Sequence, residues 1–335
     1  NKDRDFVATA LRTLTGGRVD AVGVSVMGGP QLLSAIAVSQ ALRAQFPAMP
    51  IIWGGHFPTI AAEAALNSPY VDYAVRGQGE ETLIELLDAI FHGGDQVDTI
   101  AGLSWRSAGR VRHNKNRTFS AASLARALPF ERLGNPRQYL ARTYLGRRTT
   151  GYQAALGCRF RCTFCGVAAM FRGKTALPAP ERLEQDLRFL TSRLGVDAVQ
   201  FYDHNFFDRE DDTAPLLEVL AKFQLPWWCF ARSDALLNLS DRSWALVRKS
   251  RLRMAYIGAE SPSDWLLHDV RKGTSTDQTL AAVEKCRSNG VIPELSFMLA
   301  PPHDPEGETE KTFEFIRHIK RIHPKTGIML YVYAP

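Results

Sequence analysis

From about residue 150 onward, short apolar runs alternate with amphipathic stretches, and this alternation restricts the fold more than any other feature. The apolar runs fall at 152–156, 198–202, 227–231, 255–259, 294–299 and 328–333; helical periodicity occupies 180–194, 213–223, 241–250, 276–289 and 308–322. Strands separated by helices of this length cannot pair as hairpins, because the chain must cross back over the sheet before the next strand begins. The expected result is a series of βαβ units around a parallel sheet. Parallel barrels assemble their sites at the C-terminal ends of the strands. The residues that follow each apolar run are therefore the ones to read for chemistry.

The first of these positions holds Gly157-Cys158-Arg159-Phe160-Arg161-Cys162-Thr163-Phe164-Cys165-Gly166, a C-x3-C-x2-C spacing. A structural zinc ion takes four closed ligands, usually from two C-x-x-C-like pairs. No fourth Cys or His is close: Cys229 and Cys286 lie far along the chain, and His113 and His204 are about forty residues away. The chain is long and its five cysteines are an odd number, so a disulfide framework fits poorly. A four-iron cubane normally takes four thiolates, and three leave one iron open to another ligand. The spacing favours a redox cluster with one such open iron.

C-x3-C-x2-C with an aromatic residue, here Phe164, just before the third cysteine resembles the radical S-adenosylmethionine (SAM) superfamily. The resemblance implies a partial (β/α)6 TIM-type barrel with a [4Fe-4S] cluster on Cys158, Cys162 and Cys165. It implies SAM chelating the fourth iron through its amino and carboxylate groups, with Phe164 flanking the adenine. One electron from the cluster, delivered by a donor such as flavodoxin or ferredoxin, then cleaves SAM to methionine and a 5′-deoxyadenosyl radical. The chemistry is the cofactors' and the positioning is the protein's.

The later strand ends are read in the same frame. Asp203 and Asn205 are expected to accept from the SAM amine or ribose, with helix capping as the alternative. Arg232 has the planar fork that suits the SAM carboxylate, with a surface ion pair as the alternative. Gly258-Ala259-Glu260-Ser261 is similar to the family's G-x-E-S turn, which implies Glu260, with Ser261 beside it, at the ribose hydroxyls or amine of SAM. Arg271-Lys272-Gly273-Thr274 resembles a downstream N/R-K-G element, for which no role is read. Pro305-Glu306-Gly307-Glu308-Thr309 resembles a P-G-E-T stretch of cobalamin-dependent members and is also an ordinary acid-rich helix start. Trp227, Trp228, Phe206 and Phe207 read as core or pocket lining, with Trp228 and Phe230 facing away from Trp227 and Cys229. Cys229 and Cys286 read as small buried residues.

In the first half, 19–27, 50–53 and 73–76 read as strands and 31–46 as a helix. Each strand runs into glycine: Gly28-Gly29, Gly54-Gly55-His56, and Gly77-Gln78-Gly79. Open α/β sheets bind ligands at the carboxyl ends of strands, where glycine lets the backbone approach a large cofactor. Gly77-x-Gly79 alone is a weak dinucleotide signal. A hairpin is expected to pair 102–106 with 110–114. The stretches 23–30, 53–59 and 76–82 together resemble the cobalamin-binding domain that precedes the barrel in one radical SAM subclass. That implies a Rossmann-like domain in which Ser25, Gly28, Gly29, Gly54, Gly55, His56, Gly77 and Gly79 surround the corrin or its nucleotide tail. The D-x-H-x-x-G motif of histidine-ligating cobalamin domains is missing. Cobalamin is therefore expected base-off without a histidine ligand, and His56 as a loop contact. The expected domains are 1–115, a polar linker 116–149, and a barrel 150–335 cut short at its C-terminus.

Hydrophobic and charged shares of 45% and 23% are ordinary for a soluble globular chain of two domains. With no apolar run of about eighteen residues and no signal-like start, neither a membrane span nor secretion is expected. The reducing cytoplasm suits an oxygen-sensitive cluster. A net charge of +6, spread along the chain, reads as solvated faces rather than a nucleic-acid site. The expected function is a cobalamin-dependent radical SAM enzyme that methylates an unactivated carbon of a small organic substrate. The second reading keeps both cofactors but ends in oxidative cyclisation or ring rearrangement, since the anaerobic porphyrin ring cyclase has a similar two-domain layout. A third, a non-catalytic cobalamin or redox sensor, would need an effector segment that the sequence does not show.

Overall fold

A computed structural model of the chain describes residues 5–94, 96–120 and 128–332. Two compact units emerge: Asn1–Ser120 with Ala169–Phe171, and Ala121–Ala168 with Arg172–Pro335.

In the first unit, β1 (Val22–Ser25), β2 (Ile51–Gly54), β3 (Tyr73–Val75), β4 (Leu103–Ser107) and β5 (Arg110–His113) form one sheet in that order. β1 to β3 are parallel, and the β4–β5 hairpin is added antiparallel. Ile51 and Trp53 of β2 enter a core with Leu42, Leu66 and Val71, while Ile52 enters another with Val75, Leu86 and Leu103. A strand covered on both faces reads as an unbroken apolar run. β1 is shorter than its apolar run because the chain turns away at Val26, whose carbonyl accepts the amide of Phe57 at 2.9 Å. The helix expected over 31–46 spans Pro30–Gln45.

In the second unit, β6 (Thr149–Tyr152) is followed by a short antiparallel pair, β7 (Leu156–Gly157) with β8 (Thr175–Ala176). Then come β9 (Ala198–Phe201), β10 (Trp227–Ala231), β11 (Leu252–Glu260), β12 (Ile292–Leu299) and β13 (Gly327–Val332). The six long strands pair in parallel in the order β6-β9-β10-β11-β12-β13, the order of a (β/α)6 barrel opened between β6 and β13. Tyr333, the last residue of the sixth apolar run, and 121–127 of the expected linker lie outside the described residues.

Helices Pro180–Leu194, Glu210–Phe223, Asp241–Lys249, Thr276–Ser288 and Pro305–Ile322 connect the strands and cover one face of the sheet. The second begins three residues before its apolar periodicity, because Glu210, Asp211 and Asp212 fill a first turn that favours negative charge. Alternation on β10 sends Trp227 and Cys229 into the helix-side core, where Cys286 also lies. Trp228 and Phe230 are left on the opposite, concave face. The barrel's first strand is displaced from the sequence reading: it is Thr149–Tyr152 rather than 152–156. Its ladder stops where the amides of Ala154 and Ala155 turn to the Asp203 carboxylate.

Candidate functional site

The loop carrying Cys158, Cys162 and Cys165 leaves β7 at the C-terminal end of the sheet and runs into the helix Gly166–Phe171. Gly157 sits at φ +87°, and a side chain there would collide with the Lys174 carbonyl across the β7–β8 pair. Beyond that point the loop is held from several strand ends. Asp203, just past β9, accepts from the backbone of Ala154 at 3.1 Å and from Ala155. Burial pushes the Asp203 carboxyl up to about 7, against the pull of those amides. Arg159 in the loop donates to Asp208 at 3.0 Å. The Thr163 amide donates to the Val270 carbonyl at 3.0 Å. Arg232, past β10, stacks its guanidinium 3.6 Å from the Phe160 ring centroid and donates to the Cys162 sulfur at 4.0 Å.

Two expectations shift with these contacts. Both oxygens of Asp203 accept from the loop's backbone, so its side chain positions the loop. The fork of Arg232, only 5% exposed, is occupied by Asp234 at 2.9 and 3.0 Å, with a further bond to the Lys272 carbonyl at 2.7 Å. Arg232 is thus a buried pillar behind Cys162, neither a surface ion pair nor a free carboxylate receptor.

Glu260 closes β11 at φ +64°, past a register shift between Gly258 and Glu260 that re-aims its side chain. Its Oε1 accepts from Lys272 Nζ at 2.8 Å, with both side chains buried. Ser261 is also buried, and its hydroxyl accepts from the Ser263 amide at 3.0 Å. Ser263 in turn donates to Glu308 of the Pro-Glu-Gly-Glu-Thr stretch. Burial opposes ionisation of Glu308, yet Lys311, Ser263 and Trp265 hold its carboxyl below the usual range. Phe164 stays partly exposed, 5.9 Å from the Lys272 ammonium. The Asn205 amide donates to Asp208 at 3.3 Å, while its buried Oδ1 has no partner.

These residues fit a cluster with a chelating small molecule. All three cysteines are free thiols. Burial pushes the Cys158 thiol up, and the Asp208 and Cys165 charges add to it against a backbone hydrogen bond at Phe160. A thiolate there calls for the positive charge that iron supplies. Among the described residues, no three His, Cys, Asp or Glu side chains converge as around a single ion; thiolates of a cubane bind separate irons. The orphaned Asn205 oxygen is an acceptor that a ligand can satisfy.

The first unit carries a cavity of about 430 Å³ at the carboxyl ends of its parallel strands, lined by Ser25, Gly54, Gly55, Gly77, Gly79 and by Gly23 among others. Gly55 lies at φ +92°, 3.2 Å from the Val26 backbone for any added Cβ, and a Cβ on Gly79 would meet Val75 at 2.9 Å. Bare backbone on this side is the surface a bulky cofactor needs. Gly28, Gly29 and His56 are not part of this lining. Gly28 and Gly29 precede the helix Pro30–Gln45, and His56 opens a short helix with its Nδ1 buried and unpartnered.

Sequence reasoning missed Lys272, Asp234, Asp208 and Phe160, whose roles come from long-range partners. It also left Gly23 out of the candidate residues, although the stretch 23–30 begins there; its alternation with the inward Val22 and Val24 is a signal that could have revealed it.

A three-cysteine loop braced at the strand ends of a parallel barrel, and a glycine-lined cavity on a Rossmann-like sheet, define a class built for two cofactors. Residues 152–316 match the radical SAM superfamily model and residues 3–87 the B12 binding domain model. The chain thus carries a radical SAM domain with a B12-binding domain ahead of it.

A protein of Pyrococcus horikoshii described as an uncharacterized methyltransferase is 25% identical over 85% of this chain and 62% of its own length. An anaerobic magnesium-protoporphyrin IX monomethyl ester cyclase of Synechocystis is 22% identical over 87% of this chain and 57% of its own length. The chain thus spans about three fifths of these relatives. The fold is shared with the radical SAM methyltransferase TsrM of Kitasatospora setae, solved with tryptophan substrate and aza-SAM (TM-score 0.77, 16% identity, 98% of this chain and 65% of that one). It is also shared with the cobalamin-dependent radical SAM enzyme OxsB, solved with aqua-cobalamin (TM-score 0.74, 17% identity, 92% and 45%).

Proposed function

We propose that the chain is the core of a cobalamin-dependent radical SAM enzyme that methylates a carbon of a small organic molecule. The observation that carries this reading is the cysteine loop, held at the strand ends beside Glu260 and an unpartnered Asn205 oxygen. Bound there, cluster and SAM supply radical chemistry, and cobalamin in the first domain supplies the methyl group. Cys158, Cys162 and Cys165 hold the cluster. Phe164, Asn205 and Glu260 face SAM, with Lys272 fixing the Glu260 carboxylate. Asp203 and Arg232 keep the loop in register, and Ser25, Gly54, Gly55, Gly77 and Gly79 give cobalamin its room. The domains are 1–115 and 150–335 about the linker 116–149.

Support comes from the methyltransferase names among the relatives and from the pairing of both domains in one chain. Among the described residues no helix is long and apolar enough to cross a membrane. A cytoplasmic location and a flavodoxin or ferredoxin donor follow from the oxygen-sensitive cluster. The substrate is a small molecule and not a nucleic acid.

The test is anaerobic reconstitution with iron, sulfide and hydroxocobalamin. About four irons and about one cobalt per desalted chain are expected, followed by transfer of label from methyl-labelled SAM to product. Iron without cobalt would refute the methylcobalamin route. The likeness to cyclases favours a second reading, ring closure without methyl transfer, in which the label stays out of the product.

A further inference from the structure

Large aromatic side chains gather on the concave face of the parallel sheet, opposite its helix-covered core. Trp228 and Phe230 of β10 lie 4.7 Å apart between ring centroids, and Phe230 lies 5.0 Å from Tyr256 of β11. Tyr202, just past β9, packs 5.8 Å from Trp228 and 6.1 Å from Phe230. From β13, Tyr331 joins through a hydrogen bond donated by the Tyr256 hydroxyl at 2.9 Å. Below them Trp228 Nε1 reaches past β11 to donate to Glu294 of β12 at 3.1 Å, which closes a floor.

The wall has a ligand's side. Tyr202 remains 47% exposed, although its ring is fixed against Trp228 and Phe230. Gly151 makes room for it, since a Cβ there would stand 3.0 Å from the Tyr202 ring. A surface needed only for packing would bury the Tyr202 ring, as β9 and β10 bury Phe201 and Trp227 on their other face. Tyr202 follows the last residue of β9 and Phe230 is next to the last of β10, so this part of the wall lies at the strand ends where the cysteine loop sits.

We propose that this wall is a stacking pocket that selects substrates bearing a flat conjugated ring, a specificity that rests on the enzymatic reading above. Rings set at tilts of 56° to 74° offer both faces and edges to a planar guest, which gains from stacking and edge-to-face contact. A puckered saturated ring of equal size gains only its area.

The full chain, reconstituted with its cofactors, is titrated by saturation-transfer NMR with 2-naphthol and with decahydro-2-naphthol, the same skeleton saturated. The aromatic probe is expected to bind about tenfold tighter. Phe230→Leu and Tyr256→Leu are expected to lower its affinity about tenfold. Tyr202→Leu and Tyr331→Leu, at half-exposed positions where folding is safe, are expected to act in the same direction. Equal affinity for the two probes, no binding of either, or full affinity in the Tyr202 and Tyr331 variants overturns the proposal. Formation of 5′-deoxyadenosine from SAM is followed in parallel. Cleavage without ring preference refutes the pocket alone, and ring preference without cleavage refutes the enzymatic reading alone.

Discussion

At the scale of single residues, the buried Glu260–Lys272 pair depends on an atom that is missing. A Cβ on Gly258 would collide with Glu260 Oε1 and stand 2.6 Å from Lys272 Nζ. Both side chains are buried, and Glu260 is held in left-handed backbone, a conformation that costs about 1–2 kcal/mol and persists only where its surroundings enforce it. Gly258→Ala therefore drives the carboxylate and ammonium apart and leaves two buried charges poorly compensated. The expected loss is about 1–3 kcal/mol of stability in urea denaturation. SAM affinity should fall as well, measured by calorimetry, while iron content stays unchanged, because no cysteine contact passes through Gly258. Unaltered SAM affinity would remove Glu260 from the cofactor site. Arg232 makes a related point about reading. Its planar fork was legible as a carboxylate receptor, but its nearest carboxylate is Asp234, two residues away. Composition names the chemistry of a side chain and not the partner it meets.

At the scale of elements, the turn between β6 and the cysteine loop hinges on Asp203. Its carboxyl is raised to about 7 because burial outweighs two amide hydrogen bonds. Between about pH 4 and pH 7 the folded chain keeps a proton that the unfolded chain has released. This group's contribution to stability is therefore full at low pH and declines as pH rises through that window. Asp203→Asn is expected to flatten that part of the stability profile, measured by urea denaturation at intervals from pH 4.5 to 8. It should also lower stability by about 1–3 kcal/mol, since an amide nitrogen cannot accept the backbone N–H. An unchanged pH slope in the variant would show that Asp203 titrates normally.

The same residue shows where the elements were legible. Trp227–Ala231 and Pro180–Leu194 have the bounds their periodicity predicts, because alternation and helical period are local. The first strand is displaced because a carboxylate some fifty positions away competes for its amides. Lys272 was unreadable for the same reason: its role is set by Glu260 across a turn, not by its neighbours.

At the scale of the whole molecule, two units with different chemistry should be separable by substitution. In the first unit Val22 and Val24 point into a core, so Gly23 and Ser25 point to the other face, where the cavity lies. Gly23 has ordinary extended backbone, and nothing stands within 4 Å of an added Cβ. Gly23→Leu thus fits its strand without strain and fills space the cofactor needs. In the second unit, Cys162→Ser keeps the size of a buried side chain while replacing the thiolate proposed to hold the cluster by a hydroxyl. The expected outcome is a double dissociation in metal analysis after anaerobic reconstitution. Gly23→Leu loses most of its cobalt and keeps about four irons, whereas Cys162→Ser loses the cluster and keeps cobalt. Circular dichroism of both variants should match the parent, because neither change creates a cavity or strands a buried charge. Loss of both metals from either variant would mean that cluster and cobalamin are loaded as one coupled unit, and that the two sites cannot be assigned to separate domains.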